Sequence, residues 1–391
     1  MSKITVTCPG CSCRQEIAPQ QLPPRQVFAT CPRCGARFPF SDHLPAPVPP
    51  SADTVADFVN HRFTFTGEAR EYFGIWIVNL LLTVVTFGLY SAWAKVRKKR
   101  YLYGNTQLGD APFDYTAEPL TIFKGWCIAA ALFTIYSLGS SLHPLLGGLF
   151  GLLFFLAVPW LIVRSRLFNL RNSVHRHIRF TFRVNYQEAY LIFAALPLLI
   201  LPTLGLIMPY LIYRQKKFMA EMSGYGNSPF TFSATAGDFY RFFAKVGLGI
   251  AVIAGSGALA ALFIAPAAGD GVVAFIPLII LGIFALYFFI VIYVQTGLAN
   301  LTWNATGLGD GLFISSLRSR DMAWLYLSNA VAIACSFGLM VPWATVRMAR
   351  YRCERLEFSA PADLRTLAVD QGEVSAGGEE IGDFFGVEVG F

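Results

Sequence analysis

Long apolar runs separated by short basic or glycine-rich segments dominate the chain after about residue 60. Four of these runs contain no acidic or basic residue: residues 125–142, 145–163, 246–265 and 272–294. Each is close to the length that crosses a bilayer as a helix. They come in two pairs, so the pattern predicts two transmembrane helical hairpins.

A second kind of apolar run is interrupted at its middle and followed by basic residues. The first example covers residues 71–101, with a break at Phe87 and Gly88. Shifts of 117 and 250 residues align Gly88 with Gly205 and Gly338, so the sequence predicts one unit used three times. The predicted repeats cover about residues 60–172, 177–303 and 310–360.

Basic residues predict the topology of these runs. Residues 136–148 and 265–273 contain no Lys or Arg, so these connections should lie on the side opposite the cytoplasm. The three interrupted stretches have basic flanks, which favours bent or re-entrant helical elements that do not cross. The alternative is seven single crossings. The preferred topology places both termini in the cytoplasm.

Short alternating segments, such as residues 62–66 and 179–182, predict small β-elements on the cytoplasmic side. The pattern as a whole therefore predicts a mainly α-helical polytopic membrane protein, built from a threefold internal repeat and preceded by a small β zinc ribbon.

The predicted ribbon covers residues 1–42 and contains Cys8, Cys11, Cys31 and Cys34 as two Cys-x-x-Cys pairs. Four thiolates can hold one structural zinc ion in a tetrahedral site. Two disulfides or a redox pair are the alternatives. Thiolate ligands favour a reducing compartment, which agrees with a cytoplasmic N-terminus. A proline-rich linker is predicted at residues 43–57, a membrane domain at 58–360, and an acidic, largely flexible tail at 361–391.

Composition supports a membrane protein, because 55% of the 391 residues are hydrophobic and only 14% are charged. The net charge of +7 is assigned to cytoplasmic loops that contact anionic lipid headgroups, and nucleic-acid binding is not expected. No catalytic motif is present, so we expect no enzyme. The four runs without ionisable residues argue against transport of a charged solute through these four helices alone.

The membrane domain resembles a known family at several motifs. They are residues 63–67, 71–73, 88–97, 100–101, 103–106 and 113–115, and the acidic ending at 382–391. These residues resemble the YjgN-like family of bacterial inner-membrane proteins of unknown function, and the N-terminal segment resembles a bacterial zinc-ribbon family. The resemblance implies a multi-pass inner-membrane protein and assigns no catalytic residue.

Two functions remain open from the sequence. The preferred one is a non-enzymatic scaffold or sensor, whose zinc ribbon or acidic tail contacts a cytoplasmic protein. The alternative is a transporter or channel for a neutral or apolar solute, formed where the repeats meet.

Overall fold

The computed structural model describes residues 58–268 and 272–361, together with residue 11 and four short strands nearer the N-terminus. Only the backbone is described for those four strands and for residues 258–268, 272–276 and 278. The chain divides into two units, residues 1–57 and 58–391.

The N-terminal unit contains two separate antiparallel strand pairs. They are β1 (Ile4–Thr7) with β2 (Arg14–Ile17), and β3 (Phe28–Thr30) with β4 (Arg37–Pro39). The predicted zinc ribbon is not found in the described residues, and this part of the predicted fold was wrong. Of the four proposed ligands only Cys11 is described, whereas Cys8, Cys31 and Cys34 lie outside the described residues. Zinc binding itself stays a prediction.

The second unit contains one closed barrel of ten antiparallel strands, which follow one another around the barrel in chain order. The strands are β5 (Phe58–Phe65), β6 (Thr106–Leu108), β7 (Ala111–Tyr115), β8 (Ser173–His175), β9 (Ile178–Phe182), β10 (Ser223–Tyr225), β11 (Ser228–Phe232), β12 (Thr306–Leu308), β13 (Gly311–Ser315) and β14 (Leu356–Pro361). Pairing of β14 with β5 closes the barrel. Closure leaves no edge strand, so strands of only three to five residues are stable.

Two-residue turns connect four strand pairs of the barrel. Three of the turns begin with a glycine at positive φ: Gly109 (60°), Gly226 (55°) and Gly309 (58°). In the fourth, Arg176 and His177 both have positive φ, 49° and 64°. This conformation matches the twist of antiparallel strands and explains the preference for glycine.

Five helical segments connect the remaining neighbours in the barrel. They are α1 (Ala69–Val85) with α2 (Ser91–Gly104); α3 (Pro119–Leu142) with α4 (Pro144–Arg171); α5 (Tyr186–Tyr190), a π-helical turn (Leu191–Ala195), α6 (Leu196–Leu198) and α7 (Met208–Glu221); α8 (Ala236–Ala268) with α9 (Val272–Asn304); and α10 (Ser319–Cys335) with α11 (Val341–Glu354).

Each helical segment begins and ends with the same backbone contact. We call the strand before each helical segment the incoming strand and the strand after it the outgoing strand. The residue after the incoming strand donates its N–H to the carbonyl of the residue before the outgoing strand, at 2.7–2.9 Å. The five donor–acceptor pairs are Thr66–Asn105, Thr116–Asn172, Arg183–Met222, Ser233–Ala305 and Ser316–Arg355. The end of each segment therefore continues the barrel ladder into the helices.

These contacts define five topologically equivalent units, each consisting of a strand, a helical hairpin and a strand. The last helix of each hairpin packs against the first helix of the next, and α11 packs against α1 to close the ring. The predicted threefold repeat was wrong, as were the separate small β-elements. The sequence comparison selected the three short hairpins, which share a turn and a basic ending. The two long hairpins, α3–α4 and α8–α9, occupy equivalent places in the ring. Their sequences are mostly apolar, so the sequence comparison did not reveal the equivalence.

The three interrupted stretches turn where the sequence predicted a break. Phe87 and Gly88 have φ values of 50° and 91°, and the same pattern recurs at Leu204-Gly205 and Phe337-Gly338. The Gly88 N–H donates to the Thr83 carbonyl at 2.8 Å. The side chain of Phe87 is 98% exposed, so an apolar residue stands at the tip of this hairpin.

Four helical regions are long and apolar enough to cross a membrane: Pro119–Leu142, Pro144–Arg171, Ala236–Gly257 and Ile279–Asn304. They form the two predicted transmembrane hairpins. Helix α4 extends beyond the charge-free run and includes Arg164 and Arg166.

Candidate functional site: an axial cavity

A layer of five phenylalanines lies inside the barrel. Each stands two residues before the end of an incoming strand: Phe63, Phe113, Phe180, Phe230 and Phe313. Their neighbouring ring centroids are 6.2–6.4 Å apart around a complete circle. We call this set the phenylalanine layer.

Geometry shows that the phenylalanine layer lies inside the lumen and narrows it. The residues come from every second strand, and such strands lie about 9–10 Å apart. Side chains that pointed outward would diverge beyond this spacing, whereas these converge to 6.2–6.4 Å. Neighbouring ring planes differ by only 5–34°. All five rings also line a cavity of about 160 Å³ within the lumen.

A second layer lies toward the turns of the barrel. Its members are the ladder partners of the phenylalanines: Leu108, His175, Tyr225, Leu308 and Phe358. The His175 ring stacks on Phe113 with centroids 4.4 Å apart, and the Tyr225 hydroxyl donates to the His175 carbonyl at 2.9 Å. Burial, followed by the charge of Arg176, lowers the pKa of His175 to about 4, so this side chain is neutral near pH 7.

Two cavities lie on the helix side of the phenylalanine layer, with volumes of about 220 and 840 Å³. They share Tyr103, Phe113 and Trp303 in their walls and are therefore adjacent. All five units contribute to the wall of the larger one. We call the two together the axial cavity.

The outgoing strands connect the axial cavity to the helices that surround it. At the first residue of four such strands, a hydroxyl donates to the helix carbonyl four residues earlier, at 2.6–2.8 Å. The donors are Thr106, Ser173, Ser223 and Thr306. These bonds satisfy the last carbonyls of each helix and fix its rotation.

Positive charge enters the axial cavity from three of the five units. Arg166 lines the smaller part, and Lys216 and Arg352 line the larger part. No aspartate or glutamate lines either part in the region that the structure describes. The arrangement can therefore hold a polar solute between an apolar layer and a basic wall.

The sequence did not identify this site. The positive charge was assigned to loops that contact headgroups, but Lys216 and Arg352, which belong to the basic segments 214–217 and 347–355, line the axial cavity. Arg97 and Lys98 are exposed, as a headgroup contact requires. The position of a residue in its helix, counted back from the first residue of the following strand, would have shown which basic side chains point to the cavity. No group of three or more metal-ligating side chains occurs in the described parts of the chain.

Comparison with known proteins gives a family without a known activity. A family model, "Bacterial protein of unknown function (DUF898)", matches residues 60–384. The inner membrane protein YjgN of Salmonella typhimurium strain LT2 is 34% identical over 154 residues, which are 38% of this chain and 38% of that protein. The YjgN proteins of Escherichia coli O157:H7 and K12 are 31% and 29% identical, over 37% of this chain and 36% of their own length.

The matched segment thus spans little more than a third of the length of these curated relatives. No solved structure matches the chain. The relatives are named inner membrane proteins, in agreement with the four membrane-length helices. Because the family model covers well over half of its length, the chain belongs to the DUF898 family of bacterial proteins of unknown function.

Proposed function

We propose that the second unit, which we call the membrane unit, is a channel or transporter. It admits a small solute to the axial cavity, and the phenylalanine layer closes the path. The closed circle of five ring contacts carries this proposal, because a scaffold needs no such layer in front of a cavity. Apolar constrictions are a known means of gating, since water and ions leave them readily.

The protein lies in the inner membrane with both termini in the cytoplasm, and exposed residues such as Arg97 and Lys98 contact anionic headgroups. It has no catalytic role. A cytoplasmic partner binds the N-terminal unit or the acidic tail.

The N-terminal unit binds one structural zinc ion through Cys8, Cys11, Cys31 and Cys34. Metal analysis of the purified protein should give one zinc per chain, and less than half of that after Cys8→Ser. A full equivalent of zinc in the Cys8→Ser protein would contradict this assignment.

Flux measurements test the gating role. Phe180 lies in the phenylalanine layer, and the adjacent Thr181 points to the exposed outer face. Proteoliposomes containing Phe180→Ala should release glycerol several times faster than those containing Thr181→Ala. Equal release from the two proteins would contradict the proposal, provided that Phe180→Ala elutes as a folded protein. Phe180→Leu, which removes less volume, is the second variant if Phe180→Ala does not fold.

A further inference from the structure

We infer that the axial cavity takes a small phosphate oxyanion, held by Lys216 and Arg166. This assignment rests on the proposed function, because it names the class of solute that the cavity receives.

The first observation is the position of the two cations. Seven residues before the outgoing strand, the five units carry Lys99, Arg166, Lys216, Ala299 and Ala349. Three adjacent units thus present a positive charge at one level, and the other two present a methyl group. Lys99 is engaged, because its ammonium donates to Asn169 Oδ1 and lies 3.4 Å from the Tyr115 hydroxyl. Lys216 lines the larger part of the axial cavity and Arg166 lines the smaller part.

The second observation is the lack of a counter-charge at Lys216. Lys216 makes no ion pair with any residue that the structure describes, whereas its neighbour Lys217 pairs with Glu221 at 3.8 Å. Burial, followed by the charge of Arg166, lowers the pKa of Lys216. A buried cation beside another cation is costly unless an anion accompanies it. An anion in the cavity would offset both effects.

The third observation is an unsatisfied hydroxyl. Thr296 is 2% exposed, its Oγ1 has no hydrogen-bond partner, and it lines the same 840 Å³ space as Lys216. Three other units carry a valine at the equivalent position: Val96, Val163 and Val346. A buried hydroxyl without a partner destabilises the protein, so a polar ligand is its expected partner. The amide of Gln295 lines the same wall.

These donors match oxygen ligands. An ammonium, a guanidinium and a hydroxyl make charge-assisted hydrogen bonds to the oxygens of a phosphate or carboxylate. A free phosphate and a lipid phosphate would use the same donors, so the experiment includes both.

Ligand-dependent stability of the full chain in detergent tests this inference. Inorganic phosphate, added at constant ionic strength, should raise the unfolding temperature of the wild-type protein in a saturable manner. Lys216→Met should lose this shift, and Lys217→Met should retain it because Lys217 pairs with Glu221 instead. Soluble short-chain phosphatidate forms the second arm. A shift with phosphatidate alone, lost in Lys216→Met, would identify the source as a lipid.

The inference is overturned if neither compound shifts the wild-type protein, or if Lys216→Met keeps the full shift. Its failure can be separated from that of the proposed function. If Phe180→Ala vesicles release glycerol but no anion binds, only the anion assignment is wrong. If phosphate binds through Lys216 but the vesicles release nothing, the gating role is wrong.

Discussion

At the scale of single residues, a few positions have their roles set by backbone angle or burial. Gly88 has φ of 91°, a conformation that other residues avoid, and a Cβ added there would meet no atom within 4 Å. The repeat alignment of Gly88, Gly205 and Gly338 predicted a turn correctly. It did not show that the space around Gly88 is open, so crowding is no part of the reason for glycine there.

Replacing Gly88 should therefore destabilise the protein through backbone strain alone. Gly88→Ala and Gly88→Val should each lower the free energy of unfolding by about 1–2 kcal/mol. The control is Gly104→Ala, because Gly104 lies in helix α2 with no atom near its added Cβ, and alanine raises helix propensity there. Thermal unfolding in detergent measures all three. An unchanged Gly88→Ala protein would show that the turn does not have this conformation.

His175 gives the protein a pH dependence whose sign follows from its lowered pKa. The folded protein holds this side chain neutral until about pH 4, whereas the unfolded chain protonates near pH 6.5. Stability from this group is complete above pH 6.5 and is lost as the pH falls from 6.5 to about 4, by up to about 3 kcal/mol.

His175→Phe should flatten that part of the stability curve, since phenylalanine stands at the equivalent position 358. The matched control is His177→Asn, because His177 is exposed in the turn at φ of 64°, which asparagine tolerates. Equal acid sensitivity of wild type and His175→Phe would show that His175 is not the titrating group.

At the scale of elements, the hairpin turns depend on hydroxyl side chains. Thr86 Oγ1 donates to the Leu82 carbonyl at 2.7 Å and accepts the Tyr90 N–H at 3.0 Å. Ser336 accepts the Met340 N–H at 3.0 Å in the equivalent turn. The sequence predicted the break in each stretch from its glycine, but the hydroxyl gave no signal because threonine and serine occur throughout apolar helices.

Thr86→Val keeps the shape of the side chain and removes both bonds. We expect a loss of about 1 kcal/mol in the free energy of unfolding. Thr86→Ser keeps the hydroxyl and should stay close to wild type, as the serine at position 336 indicates. Chemical or thermal unfolding measures the stability of both variants. A similar decrease in the free energy of unfolding for Thr86→Val and Thr86→Ser would show that packing, and not the hydrogen bonds, is responsible.

At the scale of the whole molecule, the membrane unit is a ring of five hairpins on a closed barrel. Apolar runs predicted the membrane helices, because lipid exposure leaves a signal at every position. The barrel could not be predicted, because strands of three to five residues become stable only when the tenth strand pairs with the first. The axial cavity depends on the same closure, so its basic residues Lys216 and Arg352 were interpreted as headgroup contacts.

The most direct test of this account asks whether the phenylalanine layer controls access to the axial cavity. Ala299 lines the cavity on the helix side of that layer. A cysteine introduced there, Ala299→Cys, is exposed to a small anionic methanethiosulfonate, and mass spectrometry follows modification at residue 299. The account predicts several-fold faster modification when Phe180→Ala is added than when Thr181→Ala is added. Equal rates in two folded proteins would contradict it.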